Sequence, residues 1–262
     1  MISATLTLGQ SAYALDPKTY PVKVTLEGNK PKAAYDQEAA KYGYNASSKY
    51  NTKGVSGPWT IESKAAGKVI ADLAVRTTEA SSHTITFKSA ATRLDVDTTN
   101  YQSGKYSVDS ADSLTFNNSV LNAKIVTGNA ESKGLGSYFG KIDKLGDTVT
   151  FAKNASGIDL STGSKADSVT FYGKVNATYV DLGINTDSVT FGSKEKLTGV
   201  SVNLGKDTVR DVVSFASKNS LNKTEIINFV DKVDRIKVEG KIYDTQAAVK
   251  KDFGDGIIFK NT

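Results

Sequence analysis

One short pattern recurs along this chain and constrains its fold more than anything else in it. The segments are His83-Thr-Ile-Thr-Phe87, Asp112-Ser-Leu-Thr-Phe116, Asp147-Thr-Val-Thr-Phe151, Asp167-Ser-Val-Thr-Phe171, Asp187-Ser-Val-Thr-Phe191 and Asp211-Val-Val-Ser-Phe215. The starts at 147, 167 and 187 are 20 residues apart, and the other spacings are 29, 35 and 24. A second apolar stretch follows in each regular unit: Gly157-Ile-Asp-Leu160, Thr178-Tyr-Val-Asp-Leu182 and Val200-Ser-Val-Asn-Leu204. A fixed period in this range marks a solenoid.

Strand geometry turns the repeat into a register. Alternate residues of a strand share a face, so Val149, Val169 and Val189 fall in one column and Phe151, Phe171 and Phe191 in the next. Leu160, Val180 and Val200 are expected to form a column in the second strand. The intervening Ser and Thr residues point the other way. Two strands and two turns fit 20 residues, and coils would stack at about 4.8 Å with a thin dry core between two sheets. The expected class is all-β: a parallel two-sheeted β-solenoid.

The Asp that opens each unit poses an electrostatic problem. In register, Asp147, Asp167 and Asp187 would stand roughly 5 Å apart and repel. Either each carboxylate accepts hydrogen bonds from turn amides, with Lys165 and Lys206 near, or a Ca²⁺ lies between coils. Asp147, Asp167, Asp187 and Asp207 are the candidate calcium ligands; no other cofactor is expected.

Composition excludes several classes of chemistry. The chain of 262 residues has no Cys and a single His, so disulfides, thiolate metal sites and cysteine nucleophiles are absent. The net charge of +5 is spread among alternating Lys and Asp, which argues against a nucleic-acid groove. No apolar run approaches the ~20 residues of a membrane span, and the start of the chain does not read as a signal peptide.

The sequence divides near residue 80 into three expected regions: a docking or capping segment over 1–80, solenoid repeats over 81–215 and a C-terminal cap over 216–262. In the first, Ala4–Leu8, Val22–Leu26 and the stretch Trp59–Val75 read as strands. The run between Pro31 and Gly43 reads as a helix, and Tyr42–Pro58 as a loop. Met1–Leu8 finds no obvious partner in the solenoid, so residues 1–30 are expected to contact other chains, in a homo-oligomer such as a trimer or on a lattice.

The repeats resemble a degenerate RTX (repeats-in-toxin, haemolysin-type) β-roll, whose unit is Gly-Gly-x-Gly-x-Asp-x-hydrophobic-x. Gly163-Ser-Lys-Ala-Asp167, Gly183-Ile-Asn-Thr-Asp187 and Leu204-Gly-Lys-Asp207 carry the likeness, with Thr224–Phe229, Asp231–Ile236 and Phe253–Phe259 in the tail. It covers roughly residues 110–262. The resemblance implies a β-roll fold, calcium between coils and export outside the cell. The chain departs from that family in lacking the double glycines, in offering one carboxylate per coil and in being basic.

A search for catalysis finds no His-Glu-x-x-His helix, no Gly-x-Ser-x-Gly elbow and no phosphate-binding Gly loop. His83 sits in the Asp slot of its unit and reads as a turn residue. Asp95 and Asp97 share a strand face, as on many solvated sheets. Tyr35, Tyr42, Tyr44 and Tyr50 form either a contact surface or a packed loop. The sequence is therefore expected to encode a non-enzymatic structural protein on a virus particle, a capsid decoration (cement) or fibre protein of a phage. The alternative is a secreted cell-surface S-layer or adhesin protein.

Overall fold

The computed structural model describes residues 4–8, 22–26, 45–47, 59–63, 69–77, 83–98, 101–102, 105–106, 111–128 and 146–261. Its strands are β1 (Ala4–Leu8), β2 (Val22–Leu26), β3 (Asn45–Ser47), β4 (Trp59–Ser63), β5 (Ile70–Thr77), β6 (Thr84–Phe87) and β7 (Ala91–Asp97). A small hairpin, β8 (Tyr101–Gln102) with β9 (Lys105–Tyr106), comes next. Then follow β10 (Ser113–Phe116), β11 (Val120–Val126), β12 (Thr148–Phe151), β13 (Ala155–Ser161), β14 (Ser168–Phe171) and β15 (Val175–Asp181). The chain ends with β16 (Ser188–Phe191), β17 (Thr198–Asn203), β18 (Val212–Phe215), β19 (Thr224–Ile227), β20 (Arg235–Val238), β21 (Lys241–Tyr243), helix α1 (Gln246–Phe253) and β22 (Ile257–Lys260).

These strands form the two-sheeted parallel solenoid that the repeat implies. One sheet, built around the four-residue strands, runs β21-β20-β18-β16-β14-β12-β10-β6-β4-β1-β3; the other, built around longer strands, runs β2-β5-β7-β11-β13-β15-β17-β19-β22. The chain alternates between them, one strand to each sheet per coil. Only the pairs β1–β3 and β20–β21 are antiparallel within these two sheets, and they close both ends of the short-strand sheet.

In the short strands burial alternates strictly, and two apolar columns face inward. Phe87, Phe116, Phe151, Phe171, Phe191 and Phe215 are stacked ring on ring, with centroids 4.6, 4.8, 4.7, 5.3 and 5.4 Å apart. In-register pairing forces this, because identical positions sit one strand spacing apart. Ile61 and Val238 continue the column at its two ends. Burying each ring contributes about 1.5–3 kcal/mol, and ring contact about 0.5–1.5 kcal/mol more.

The long strands are not regular. Their backbone turns left-handed at Arg93 (φ 52°), Asn122 (φ 56°), Gly157 (φ 66°), Ala177 (φ 43°) and Gly199 (φ 61°), one position in each of five consecutive strands. There two successive residues face outward, as in a β-bulge repeated from coil to coil. Beyond the bulge, Val96, Ile125, Leu160, Val180, Val202 and Ile226 form one inward column.

Four sequence expectations need correction. Val202, not Val200, continues the Leu160–Val180 column, and Val200 lies opposite Thr178. Leu160 and Val180 each follow their coil's Phe by nine positions, whereas Val202 follows Phe191 by eleven; the turn after β16 is longer. Second, the stack does not start at residue 81. β1 pairs with β4, β2 with β5, and β4 and β5 lead directly into β6 and β7. Ala4–Leu8 and Val22–Leu26 therefore have their partners inside the solenoid, and the missing partner that pointed residues 1–30 toward another chain is supplied by β4 and β5. Third, the Tyr42–Pro58 stretch contains β3, which pairs with β1. Fourth, the stack continues past residue 215, since β19, β20 and β22 extend both sheets. The helix expected between Pro31 and Gly43, and Tyr35, Tyr42, Tyr44 and Tyr50, lie outside the described residues.

Candidate functional site

The most distinctive chemistry lies at the corner that feeds each short strand. There the Asp residues of successive units are buried in a single column. Each carboxylate reaches back to the main chain of the preceding coil. Oδ1 of Asp112 accepts the N–H of His83 at 2.7 Å. Oδ1 of Asp147, Asp167 and Asp187 accepts the N–H of Asp112, Asp147 and Asp167 respectively, each at 2.7 Å. Asp211 serves Asp187 at 2.8 Å and Asp234 serves Asp211 at 3.0 Å. The column ends where Oδ2 of Asp234 accepts the N–H of Val230 in its own turn, at 2.7 Å.

This arrangement answers the repulsion problem. A corner amide leaving the parallel ladder would be buried without an acceptor, at a cost of about 1–3 kcal/mol. The carboxylate of the next coil supplies that acceptor. The amide served belongs to the neighbouring coil and not to the residue's own turn, so the column ties coils together where an Asx-turn would only shape one turn. Burial in turn pushes Asp147 and Asp187 up to about 9 and Asp211 up to about 8; the amide hydrogen bonds oppose this, and neighbouring carboxylates add to it. Burial also raises Asp234, against the pull of the Val230 and Asp211 amides. The second oxygen of Asp187 is buried with no hydrogen-bond partner, a setting in which a neutral acid is far cheaper than a carboxylate.

Of the four aspartates singled out as calcium candidates, three meet in this column: Asp147, Asp167 and Asp187. Asp207 does not join them. Its carboxylate accepts the N–H of Asn185 at 2.6 Å and of Val209 at 2.8 Å, and the column passes through Asp211 instead. Among the described residues, no three His, Asp or Glu side chains converge as a metal-holding group. Asp112, Asp211 and Asp234 complete the column. The signal for Asp234 was present in Asp234-Arg-Ile-Lys-Val238, which keeps the unit's alternation but replaces its Phe with Val.

His83 takes the column's first place. Its Nδ1 lies 3.2 Å from Oδ1 of Asp112, and both side chains are closed off from solvent. This His–carboxylate pair is sealed from any substrate, so it can order the first described corner of the column but cannot exchange protons with a bound molecule. Asp95 and Asp97 share the outer face of β7, with Asp95 in register with Lys124. No helix among the described residues is long and apolar enough to cross a membrane.

Comparison with protein-family models, with curated protein sequences and with solved structures finds no match.

Proposed function

We propose that this chain is a non-enzymatic structural protein, a stiff rod that works by assembly at the outside of a cell, as an S-layer or adhesin component does. One observation carries the reading: a single pair of sheets runs from β1 to β22, with the Phe column and the Asp column inside it. A solenoid of this kind is a quasi-one-dimensional spacer whose length follows from its number of coils. The RTX-like tail favours a surface setting over a virus particle. β1 and β2 are stacked into the rod, so they offer no free strand for docking on a capsid.

The test is to locate the protein. Antibody raised against the chain should label intact source cells, and mild surface extraction should release it. Recovery only with purified virus particles would transfer the rod to a capsid. A catalytic turnover copurifying with the folded chain would overturn the structural reading altogether.

A further inference from the structure

Among the described residues, the outer face of the five central short strands has a composition of its own. Strands β6, β10, β12, β14 and β16 each place Ser or Thr at their first and third positions, from Thr84 and Thr86 to Ser188 and Thr190. These fall into two straight columns, because every strand pairs with the next without a skipped residue. None of the positions is charged, in a chain with 33 Lys and Arg and 28 Asp and Glu among 262 residues. The opposite sheet carries Asp95, Lys124, Asp159 and Asp181 on its outer side at the same levels and is bent by its bulge column. No residue of the five short strands has a positive φ, so no bulge interrupts their face.

The face also has a lattice. Along the rod, its rows repeat with the rise of the Phe rings beneath them, 4.6 to 5.3 Å. Across it, first and third strand positions lie about 6.6 Å apart. Threonine is stiff about χ1 and each hydroxyl can both donate and accept. Adjacent rows already couple, since the Ser188 hydroxyl donates to Oγ of Ser168 at 3.3 Å.

What could recognise such a surface is narrow. A protein partner is best held by aromatic or Arg anchors over about 800 Å² a side; the two hydroxyl columns are uncharged and only about 20 Å by 7 Å, with Tyr172 and the Lys88–Glu62 pair at their margin. A nucleic acid needs cations, and the columns carry none. A regular array of hydroxyls and methyls on an uncharged face without a bulge instead matches a regular array of water, and its two repeats are close to those of hexagonal ice. We propose that the hydroxyl face of the short-strand sheet orders a layer of water and through it adsorbs to ice. This goes beyond the rod role and does not depend on it.

The experiment compares three proteins, each checked for its β-sheet spectrum by circular dichroism. They are the unaltered chain, T150K/T170K on the hydroxyl face, and S156K/N176K on the opposite face of the same two coils. Thermal hysteresis and uptake of labelled protein into slowly growing ice are measured. The unaltered chain and S156K/N176K should enter the ice and shape it, and T150K/T170K should lose most of both effects. Exclusion of the unaltered chain from ice overturns the proposal, as does equal behaviour of the two folded variants. If T150K/T170K does not fold, the single changes T115K and T190K take its place under the same criterion. Retention on crystalline cellulose or chitin without uptake into ice would assign the face to a polysaccharide and also overturn it.

Discussion

The main-chain N–H of Asp147 donates to Oδ1 of Asp167 at 2.7 Å, across the boundary between two coils. The same bond joins Asp112 to Asp147 and Asp167 to Asp187 at the same length. Side chains thus continue a ladder that the backbone would otherwise break at the corner. The column is polar, buried and repeated from coil to coil.

Stability should fall as pH rises. Asp147 and Asp187 lie at about 9 and Asp211 at about 8 in the fold, against an ordinary value of 3.8. A carboxyl whose folded value is raised contributes fully below the unfolded value, where both states are protonated. From about pH 4 upward the unfolded chain releases protons that the fold retains, and the contribution shrinks until pH 8 to 9. Each fully retained proton corresponds to about 1.4 kcal/mol per pH unit. Urea unfolding at pH 5, 6, 7 and 8 should give steadily lower free energies. A flat or rising profile would show that the column is ionised.

Asp187→Asn and Asp187→Ala should part company. The Asn side chain keeps an oxygen that can accept the Asp167 N–H and removes one titrating group. Because this variant no longer has to retain a proton that the unfolded chain releases, it should be no less stable than the unaltered chain at pH 7, and it should flatten the pH profile. The Ala variant also removes the titrating group but leaves that amide buried and unpaired, so it should be about 1–3 kcal/mol less stable than the Asn variant. Equal stability of the two variants, measured by urea unfolding at pH 7, would mean that the acceptor is unimportant.

Calcium should change little. In Asp147, Asp167 and Asp187 one oxygen already holds an amide, and burial holds Asp147 and Asp187 toward the protonated form, a poor metal ligand. A ligand bound only by the folded state raises stability by RT ln(1 + [L]/Kd). Millimolar calcium should therefore leave the melting temperature within about 2 °C of its value in chelator, less than 1 kcal/mol of binding would move it. A larger rise, reversed by chelator, would place a metal in the rod.

The legibility of this fold follows its periodicity. Phe151, Phe171 and Phe191 were readable as one column because 20 residues separate each pair and no insertion intervenes. Val200 was misread because the longer turn after Phe191 shifts the next strand by two, and a shift of two preserves the inward face while changing the partner. Asp207 stands outside the column because the RTX-like fragment Leu204-Gly-Lys-Asp207 points to it four residues before Asp211, which heads the unit and takes the place in the column. β1 and β2 were readable as strands from alternation alone. Their partners β4 and β5 were not, since nothing repeats between residues 4 and 77 to set a register. The reach of each carboxylate to the preceding coil leaves no trace in spacing, because an Asx-turn would use the same residue at the same place.

Removing one ring should cut the rod at a definite level. Phe171 lies 4.7 Å from Phe151 and 5.3 Å from Phe191, fully buried. Phe171→Ala should cost about 3–5 kcal/mol. Because coils contact only their neighbours, the loss should fall on the interface between the β12 and β16 levels and weaken cooperativity between the two halves. Hydrogen exchange should then show faster opening at Val169 and Val189 than at Val238. Uniform acceleration along the chain would mean that the rod still opens as one unit.

The last prediction separates two glycines that look alike in sequence. Gly183 and Gly199 both have positive φ, 83° and 61°. The difference is what lies beside them. A Cβ on Gly183 would run into the carbonyl oxygen of Gly163 in the preceding coil, which is main chain and cannot swing aside. That oxygen is also the acceptor for the N–H of Ile184 at 3.0 Å, so moving it would break the corner ladder. A Cβ on Gly199 would meet nothing nearer than Cα of Ala177, at 3.7 Å. The corresponding bulge position one coil earlier is held by Ala177 itself, at φ 43°, so the fold already accommodates a methyl there. Gly199→Ala should therefore cost only the left-handed backbone penalty of about 1–2 kcal/mol. Gly183→Ala should add the separation of two coils to that penalty and reach the large losses, above about 4 kcal/mol, that mark a core clash. Thermal unfolding of the two variants side by side decides it. Comparable melting temperatures would mean that the coils at this corner are not in contact, and the close stacking of the Gly163, Gly183 and Gly205 turns would have to be abandoned.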